Sequence, residues 1–273
     1  MLNNETLIGR GRIAEVFTWG DVQVVKLFYA GQALDWIKEE ARISRLVYET
    51  GVATPAVGNV IEVDDRHGII YGRVHGTSML TEISSKPWKV FQSAKTLAKL
   101  HASMHEKKVT GLPSQRQNLQ RSIQSIPALT DQKKFAVLNV LDSLPDDHVL
   151  CHGDFHPDNV VMSTHGAMVI DWTTASQGNP LADAARTSLI LQMGELPPGT
   201  PALIQWLTSI GRGLFHQAYL RYYFQYHPAD MQEFTRWQLP MAAARLSDGI
   251  AEEQVLLLSI IDKLLSLNVE RAK

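Results

Sequence analysis

The sequence has few of the features that would take a protein out of the cytoplasm. Its 273 residues include one cysteine, Cys151, so a disulfide cannot form within the chain and a reducing compartment is favoured. No apolar run approaches the roughly 18 residues of a membrane span, so we predict no membrane partner. The segment from Met1 to Glu5 has no basic region followed by an apolar run. We therefore expect no secretory signal and a cytoplasmic location.

Neither sign of charge is in excess. The chain has 26 Lys and Arg against 28 Asp and Glu, which gives a formal net charge of -2. A nucleic-acid partner normally requires a basic surface, so we expect none. The sequence contains no internal repeat and no low-complexity segment, and it gives no indication of a protein partner. The composition is therefore that of an ordinary globular protein and leaves its chemistry open.

The N-terminal part has the pattern of strands around one helix. Alternating β-branched residues predict a strand over residues 22–28, and the turn before it predicts a hairpin with residues 15–18. A helix is predicted over residues 32–50, followed by strands over 57–63 and 68–74 with a turn at residues 64–67. Together these elements predict a small antiparallel sheet with one helix.

After Gly76 the pattern becomes mainly helical. Helices are predicted over residues 86–107 and 131–141, a compact loop region over 150–180, and mostly helix from Leu181 to Leu267. The sequence therefore predicts an α+β fold. It has an N-terminal lobe at residues 1–75, a larger helical lobe at residues 76–273, and a ligand site at the junction.

One loop carries most of the chemical information. The string from His152 to Asn159 reads His-Gly-Asp-Phe-His-Pro-Asp-Asn, and Ile-Asp-Trp follows with its aspartate at Asp171. Phosphoryl transfer needs oxygen ligands for magnesium and a carboxylate that orients the attacking hydroxyl. Asp154 lies five positions before Asn159, the spacing of the protein-kinase catalytic loop, and a later aspartate matches the kinase metal ligand.

This combination resembles the aminoglycoside phosphotransferase and choline kinase superfamily, small-molecule kinases with a protein-kinase-like fold. The resemblance covers residues 5–250, with the sharp match at residues 152–183. It implies that Asp154 is the catalytic base, and that Asn159 and Asp171 bind Mg²⁺. It also implies that His152 supports the loop and that Asp183 braces it.

The nucleotide side of such a site also has candidates. Gly9 and Gly11 match a glycine-rich loop over phosphates, although alanine stands at the third glycine position. Lys26 lies on an otherwise apolar strand face, where it either reaches solvent at an edge or contacts phosphates and pairs with a helix glutamate. Glu39 and Glu40 both qualify as that glutamate, and the family spacing favours Glu40. ATP rather than GTP is expected from the family alone.

The acceptor is expected to be a small molecule with a hydroxyl group. Eleven residues separate Asp171 from Asp183, and no Ala-Pro-Glu follows, so the chain lacks the activation segment of protein kinases. The aromatic residues of the C-terminal region favour helix packing over ligand binding. The acceptor class remains open among aminoglycosides, choline, ethanolamine, homoserine and sugars.

Two other functions fit parts of the sequence. A catalytically inactive nucleotide-binding module that regulates a partner would share the fold, although such proteins normally lose the lysine or one of the aspartates. A metal hydrolase could use the alternating residues His152, Asp154, His156 and Asp158 as ligands. That alternative leaves Asn159 without a role, and the simpler interpretation of Asp158 and His156 is turn formation and loop packing.

Overall fold

A computed structural model of the chain describes residues 5–193 and 202–271. The remaining residues, which include the start of the chain and part of the predicted C-terminal helical region, lie outside this description. The chain divides into two compact units. The first holds the chain up to Glu82 together with Pro157–Thr174, and the second holds Ile83–His156 and the chain from Ala175 onward.

The described residues form strands and helices in a mixed order. The strands are β1 (Leu7–Arg10), β2 (Ala14–Trp19), β3 (Gln23–Phe28), β4 (Val57–Val63), β5 (Arg66–Gly72), β6 (Gly76–Ser78), β7 (Val149–Cys151), β8 (Val160–Ser163), β9 (Gly166–Val169) and β10 (Ser176–Gly178). The α-helices are α1 (Leu34–Glu49), α2 (Met79–Ser85), α3 (Val90–His105), α4 (Gln115–Ser125), α5 (Asp131–Ser143), α6 (Pro180–Gln192), α7 (Ala202–Tyr226), α8 (Met231–Leu246) and α9 (Ala251–Arg271). The predicted α+β class is confirmed.

The first unit is built on an antiparallel sheet in the order β1-β2-β3-β5-β4. Ile37 and Ala41 of α1 share a buried cluster with Phe28 of β3. Because successive strand residues point to opposite faces, Val25 and Leu27 pack in a separate cluster on the other side. The β3 residues that face α1 are therefore Phe28 and those an even number of positions from it. A polar residue of β3 can contact the helix only at one of these positions.

The turn between β4 and β5 is tighter than the sequence predicted. Asp64 and Asp65 both have positive φ angles, 49° and 59°, and Val63 pairs directly with Arg66. A two-residue turn with two left-handed residues matches the twist of a hairpin. The strand therefore begins at Arg66 rather than at residue 68, and the Arg66 guanidinium donates to the backbone oxygen of Phe28 at 2.8 Å.

A small second sheet, β6-β8-β9, also belongs to the first unit. Val160 pairs with Val169 across the β8–β9 hairpin, and the Val169 amide donates to the backbone oxygen of Ala53 at 2.8 Å. The residues around the hairpin are thereby attached to the N-terminal part of the chain. For this reason the unit is larger than the predicted lobe of residues 1–75.

The second unit is mainly helical. Helix α3 packs against α7, and α8 packs against α6 and α9. Tyr219, Tyr223, Phe234 and Trp237 are buried in this unit, so these aromatic residues do serve helix packing. Helix α4 was not predicted, since most of its residues are polar.

A short antiparallel pair, β7 with β10, also lies in the second unit. It places Cys151 opposite Ser176, and the Cys151 thiol is fully buried. Burial raises the pKa of this thiol well above its ordinary value. Among the described residues, no helix has the length and apolar character that a membrane crossing requires.

At Gly76 the backbone of β6 passes too close to β8 for any side chain. A Cβ there would overlap the carbonyl group of Met162, whose carbon would lie 2.8 Å away. This backbone cannot retreat without breaking the pairing of β6 with β8. We expect Gly76→Ala to lower the free energy of unfolding by about 1–3 kcal/mol, measured by urea denaturation.

The matched control for Gly76→Ala is Gly213→Ala in α7. A Cβ at Gly213 meets nothing within 4 Å, and alanine is favoured over glycine within a helix by about 0.5–1 kcal/mol. The two variants should therefore shift the unfolding midpoint in opposite directions. A midpoint for Gly76→Ala equal to that of the parent chain would contradict the steric interpretation.

Candidate active site

The residues predicted to form the site are distributed over both units. Gly9, Gly11, Lys26, Glu40, Asn159 and Asp171 belong to the first unit. His152, Asp154 and Asp183 belong to the second. Each unit therefore contains its own arrangement of functional groups.

In the first unit, the Lys26 ammonium lies between two carboxylates. Its Nζ is 2.8 Å from Glu40 Oε1 and 3.0 Å from Asp171 Oδ1. Lys26 has the same parity as Phe28 in β3, so it points to the α1 side of the sheet. Burial lowers the pKa of Lys26, but the charges of Asp171 and Glu40 outweigh burial and raise it above its ordinary value. Lys26 is therefore a fixed cation at neutral pH.

The carboxylate of α1 that Lys26 contacts is that of Glu40, whereas Glu39 faces solvent. Glu40 is buried on the face of α1 that also buries Ile37 and Ala41. Glu39 is exposed and pairs instead with Arg42 at 2.7 Å. One oxygen of Glu40, Oε2, is buried and accepts no hydrogen bond from the described part of the chain. Such an atom has a capacity for bonding that the described contacts leave unused.

Asp171 has a backbone conformation that is uncommon for a non-glycine residue. Its φ is 62°, in the left-handed region, which costs energy in a non-glycine residue and recurs at functional sites as well as in turns. Trp172 holds this turn in place, since its buried indole donates to Thr54 Oγ1 at 2.9 Å. The Asp171 carboxylate also accepts a hydrogen bond from Thr173 Oγ1 at 2.8 Å.

Asn159 and Asp171 are held together by the β8–β9 hairpin. Asn159 directly precedes β8, and Asp171 is the second residue after β9. Between them, the Ile170 amide donates to the Asn159 backbone oxygen at 2.9 Å. Asn159 is buried. The pairing therefore brings an amide side chain and a carboxylate side chain to the same end of the hairpin.

Gly9 lies in β1, where it pairs with Val16 of β2, and Gly11 lies in the loop that follows. The Gly11 amide donates to the Ala14 oxygen at 2.9 Å, which closes the loop tightly. An added Cβ would find only ordinary contacts, 3.6 Å from Val16 at Gly9 and 3.5 Å from Ala14 at Gly11. Packing within the protein thus does not require glycine at either position.

In the second unit, a buried carboxylate holds the loop before Asp154. Asp183 Oδ2 accepts the His152 amide at 2.7 Å, and Asp183 Oδ1 accepts the Gly153 amide at 2.8 Å. The His152 ring is fully buried, and its Nδ1 accepts the Asp154 amide at 3.2 Å. Three successive backbone amides of the loop are therefore anchored by side chains.

Asp154 is itself partly exposed, and its carboxylate is surrounded by cationic and hydrogen-bonding groups. His156 Nε2 lies 3.5 Å from Asp154 Oδ2. Burial raises the pKa of Asp154, but the hydrogen bond from His156 and the charge of Arg186 outweigh it and lower the pKa to about 2. Arg186 also donates to the Gly153 oxygen and to Asp248, the latter at 2.8 Å. Asp154 is ionised over the whole neutral range.

Sequence reasoning did not assign roles to several residues around this loop. Arg186 is one of them, and His101 and His105 of α3 are two others, since both contact Asp183. Two histidines one turn apart on an apolar helix face were the available signal.

The alternating residues proposed for a metal hydrolase do not form a metal-binding group. In the described part of the chain, the His, Cys, Asp and Glu side chains close enough to share a metal ion are those of His101, His105 and Asp183. None of these belongs to the alternating set, and the Nδ1 of His152 is occupied by a backbone amide. The arrangement gives the hydrolase alternative no support.

Comparison with known proteins identifies relatives of this chain. Residues 6–234 match a family model described as the phosphotransferase enzyme family. A rat protein, acyl-CoA dehydrogenase family member 11, is 39% identical over 69 residues, which is 24% of this chain and 9% of that protein. The chain therefore matches less than a tenth of the length of that curated relative.

Solved structures are similar to this chain along most of its length. Aminoglycoside phosphotransferase APH(4)-Ia has a TM-score of 0.64 at 15% identity, covering 96% of this chain and 93% of that one. A choline/ethanolamine kinase family protein from Mesorhizobium loti has a TM-score of 0.61 at 14% identity, covering 96% and 85%. The streptomycin–ATP complex of APH(2'')-IIa has a TM-score of 0.58 at 16% identity, covering 97% and 91%. These likenesses confirm the predicted kinase-like α+β fold.

The depressed pKa of Asp154 should depend on His156. We expect His156→Asn to raise the pKa of Asp154 above about 2. Burial raises this pKa, and the variant removes the imidazole that helps to lower it. Titration of the Asp154 carboxyl carbon by NMR measures this directly. A carboxylate with a depressed pKa contributes stability above its unfolded-state pKa and loses it as the pH falls through the folded value, so the variant should lose this contribution at a higher pH.

The matched control for His156→Asn is His165→Asn in the exposed turn between β8 and β9. It should leave the titration of Asp154 unchanged. An unchanged Asp154 pKa in His156→Asn would show that this imidazole has no part in the shift.

Proposed function

Because the chain belongs to the phosphotransferase enzyme family, we propose that it transfers the γ-phosphate of ATP to a hydroxyl group of a small molecule. The observation that carries this proposal is the Lys26 ammonium between Glu40 and Asp171. Kinase-type phosphoryl transfer uses a strand lysine, a helix glutamate and a metal-binding aspartate in this relation. A similar solved protein is described as a complex with ATP, which supports ATP as the donor.

Asn159 and Asp171 fit a magnesium ion. They offer an amide oxygen and a carboxylate, the oxygen ligands that Mg²⁺ prefers, and the β8–β9 pairing holds them at one end of a hairpin. When bound, magnesium neutralises charge that develops on the transferred phosphoryl group. The strained backbone of Asp171 is consistent with a side chain whose direction matters more than its local stability.

The remaining groups of the first unit would bind the nucleotide. Lys26 would hold the charge of the α- and β-phosphates, and Glu40 would keep its side chain directed. Gly9 near the end of β1 and Gly11 in the following loop would let the backbone approach the phosphates closely. Their own packing tolerates a Cβ, so contact with a ligand is the reason we propose for glycine at these positions.

Asp154 would act on the acceptor. Its carboxylate is ionised at neutral pH, so it can accept a hydrogen bond from the attacking hydroxyl and orient it. A carboxylate with a pKa of about 2 is a weak base, and in a loose transition state the proton is needed late. Asp154 would therefore contribute mainly by positioning, with proton acceptance following transfer.

The acceptor is proposed to be a small molecule because few residues lie between Asp171 and Asp183. That segment contains the short strand β10 and the start of α6, which leaves no room for an activation segment. Proteins of similar fold are described as aminoglycoside phosphotransferases and a choline/ethanolamine kinase family protein. A panel of such hydroxyl compounds is the direct way to find the acceptor.

Replacement of Asp154 by alanine should abolish transfer. We expect Asp154→Ala to reduce turnover by at least about 10²-fold, while ATP binding survives, because the residue orients the acceptor. The assay follows ADP release with ATP and magnesium against aminoglycosides, choline, ethanolamine, homoserine, sugars and nucleosides. Asp158→Asn, at an exposed position of the same loop, is the control and should keep full activity. Near-normal turnover in Asp154→Ala would contradict the role of Asp154 in orienting the acceptor.

The two neighbouring glutamates of α1 give a matched pair. Glu40→Gln should lower kcat/KM for ATP by about tenfold or more, because a hydrogen bond to a charged group contributes about 1.5–3 kcal/mol. Glu39→Gln removes an exposed pair with Arg42 and should leave ATP kinetics unchanged. Equal effects of the two substitutions would show that Lys26 does not depend on Glu40.

A further inference from the structure

The Asp183 carboxylate is contacted by two histidines in addition to the loop amides. His101 Nε2 lies 3.0 Å and His105 Nε2 lies 3.3 Å from Asp183 Oδ2. The two histidines are one turn apart on α3, and all three side chains are fully buried. Two imidazoles therefore converge on one oxygen of a carboxylate that is itself bound to the catalytic loop.

A tyrosine hydroxyl contacts the other ring nitrogen, Nδ1, of each histidine. His101 Nδ1 is 2.7 Å from the Tyr219 hydroxyl, and His105 Nδ1 is 2.8 Å from the Tyr223 hydroxyl. The tyrosines are also one turn apart, on α7, and both are buried. The result is two parallel arms, each a tyrosine followed by a histidine, that end on Asp183.

The hydrogen-bond partners determine which nitrogen of each imidazole carries the proton. An ionised carboxylate only accepts hydrogen bonds, so the Nε2 of each histidine must donate to Asp183. A neutral ring then accepts at Nδ1, and the tyrosine hydroxyl is the donor there. The Tyr223 hydroxyl also lies within 3.4 Å of the Pro180 backbone oxygen, but the contact with His105 Nδ1 is shorter at 2.8 Å. Burial lowers the pKa of His101, and it lowers that of His105 to about 4. Both nitrogens of each imidazole therefore have a partner when the rings are neutral.

We propose that His101 and His105 are positioning residues for phosphoryl transfer, which hold Asp183 so that it fixes the loop carrying Asp154. This inference rests on the proposed function. The connection is continuous, since Asp183 accepts the amides of His152 and Gly153, the two residues before Asp154. The His101 ring also packs on Phe155, the residue after Asp154, with ring centroids 4.4 Å apart. The arms therefore reach the loop on both sides of Asp154.

A bound metal is the competing explanation for this cluster. The ligand atoms of His101, His105 and Asp183 lie within 4.8 Å of one another. A metal would need the Nε2 lone pairs, which requires both rings to be in the opposite tautomer. The group offers three protein ligands, fewer than a structural zinc site and as many as a catalytic one, so the ligand count does not decide between the explanations. The tautomer of the two rings therefore separates the two explanations.

The kinetic test uses variants that keep the shape of the core. Tyr219→Phe and Tyr223→Phe each remove one hydroxyl and leave the ring, and Tyr226→Phe, exposed on the same helix, is the control. We expect kcat to fall by about tenfold in each variant and further in the double variant, because small displacements of a catalytic group cost up to about 10²-fold. KM for ATP should stay constant. An unchanged kcat, or a loss confined to KM, would overturn the proposal.

A second readout needs no turnover. In the parent chain at pH 7, ¹⁵N NMR should show both histidines as neutral rings protonated at Nε2. Hydrogen exchange of the His152 and Gly153 amides should be faster in the double tyrosine variant than in Tyr226→Phe, with equal unfolding midpoints. The opposite tautomer, stoichiometric metal in elemental analysis, or unchanged exchange would each overturn the proposal. If no acceptor is turned over, the proposed function fails separately, and these measurements still decide the role of the arms.

Discussion

Burial of one negative charge, on Asp183, is the constraint on which the functional loop of the second unit depends. An ionised carboxylate away from water is costly unless donors surround it. Here the donors are two loop amides and two imidazoles. Each of these bonds helps to offset the same charge. If the loop backbone moved away, the buried Asp183 carboxylate would lose two of its hydrogen-bond donors. The loop is therefore held by electrostatic necessity, while its working side chain, Asp154, remains partly exposed.

The first unit uses the same principle with the opposite charge. The Lys26 ammonium is largely buried beneath the sheet and is compensated by Glu40 from α1 and Asp171 from the β8–β9 region. Sheet, helix and hairpin are thus joined at one cation. Both units place a buried ion where separate elements meet, and each ion orients a residue proposed to act on the phosphate or on its acceptor.

The sequence allowed some of this to be predicted, for physical reasons that differ by residue. Lys26 stood out because a cation on an apolar strand face needs a partner. Glu40 was preferred to Glu39 only from the family spacing, because the buried face of α1 that holds Glu40 could not be read securely from the sequence. Helix α4 was missed because it is mostly polar, although its N-cap at Ser114 and the spacing of Leu119 and Ile123 were informative. The two-residue turn before Arg66 and the histidine arms depend on left-handed backbone and on contacts distant in sequence, which periodicity does not record.

The burial of Cys151 has a practical consequence for spectroscopy. Thiol-directed dyes and spin labels react with the accessible thiolate, and this thiol is fully buried with a raised pKa. In the folded parent chain, Cys151 should therefore not react with maleimide reagents. A cysteine introduced on the surface of each unit could be labelled without removing the native one. Distances between the two units, with and without nucleotide, then become measurable in a protein whose β7 strand is unaltered.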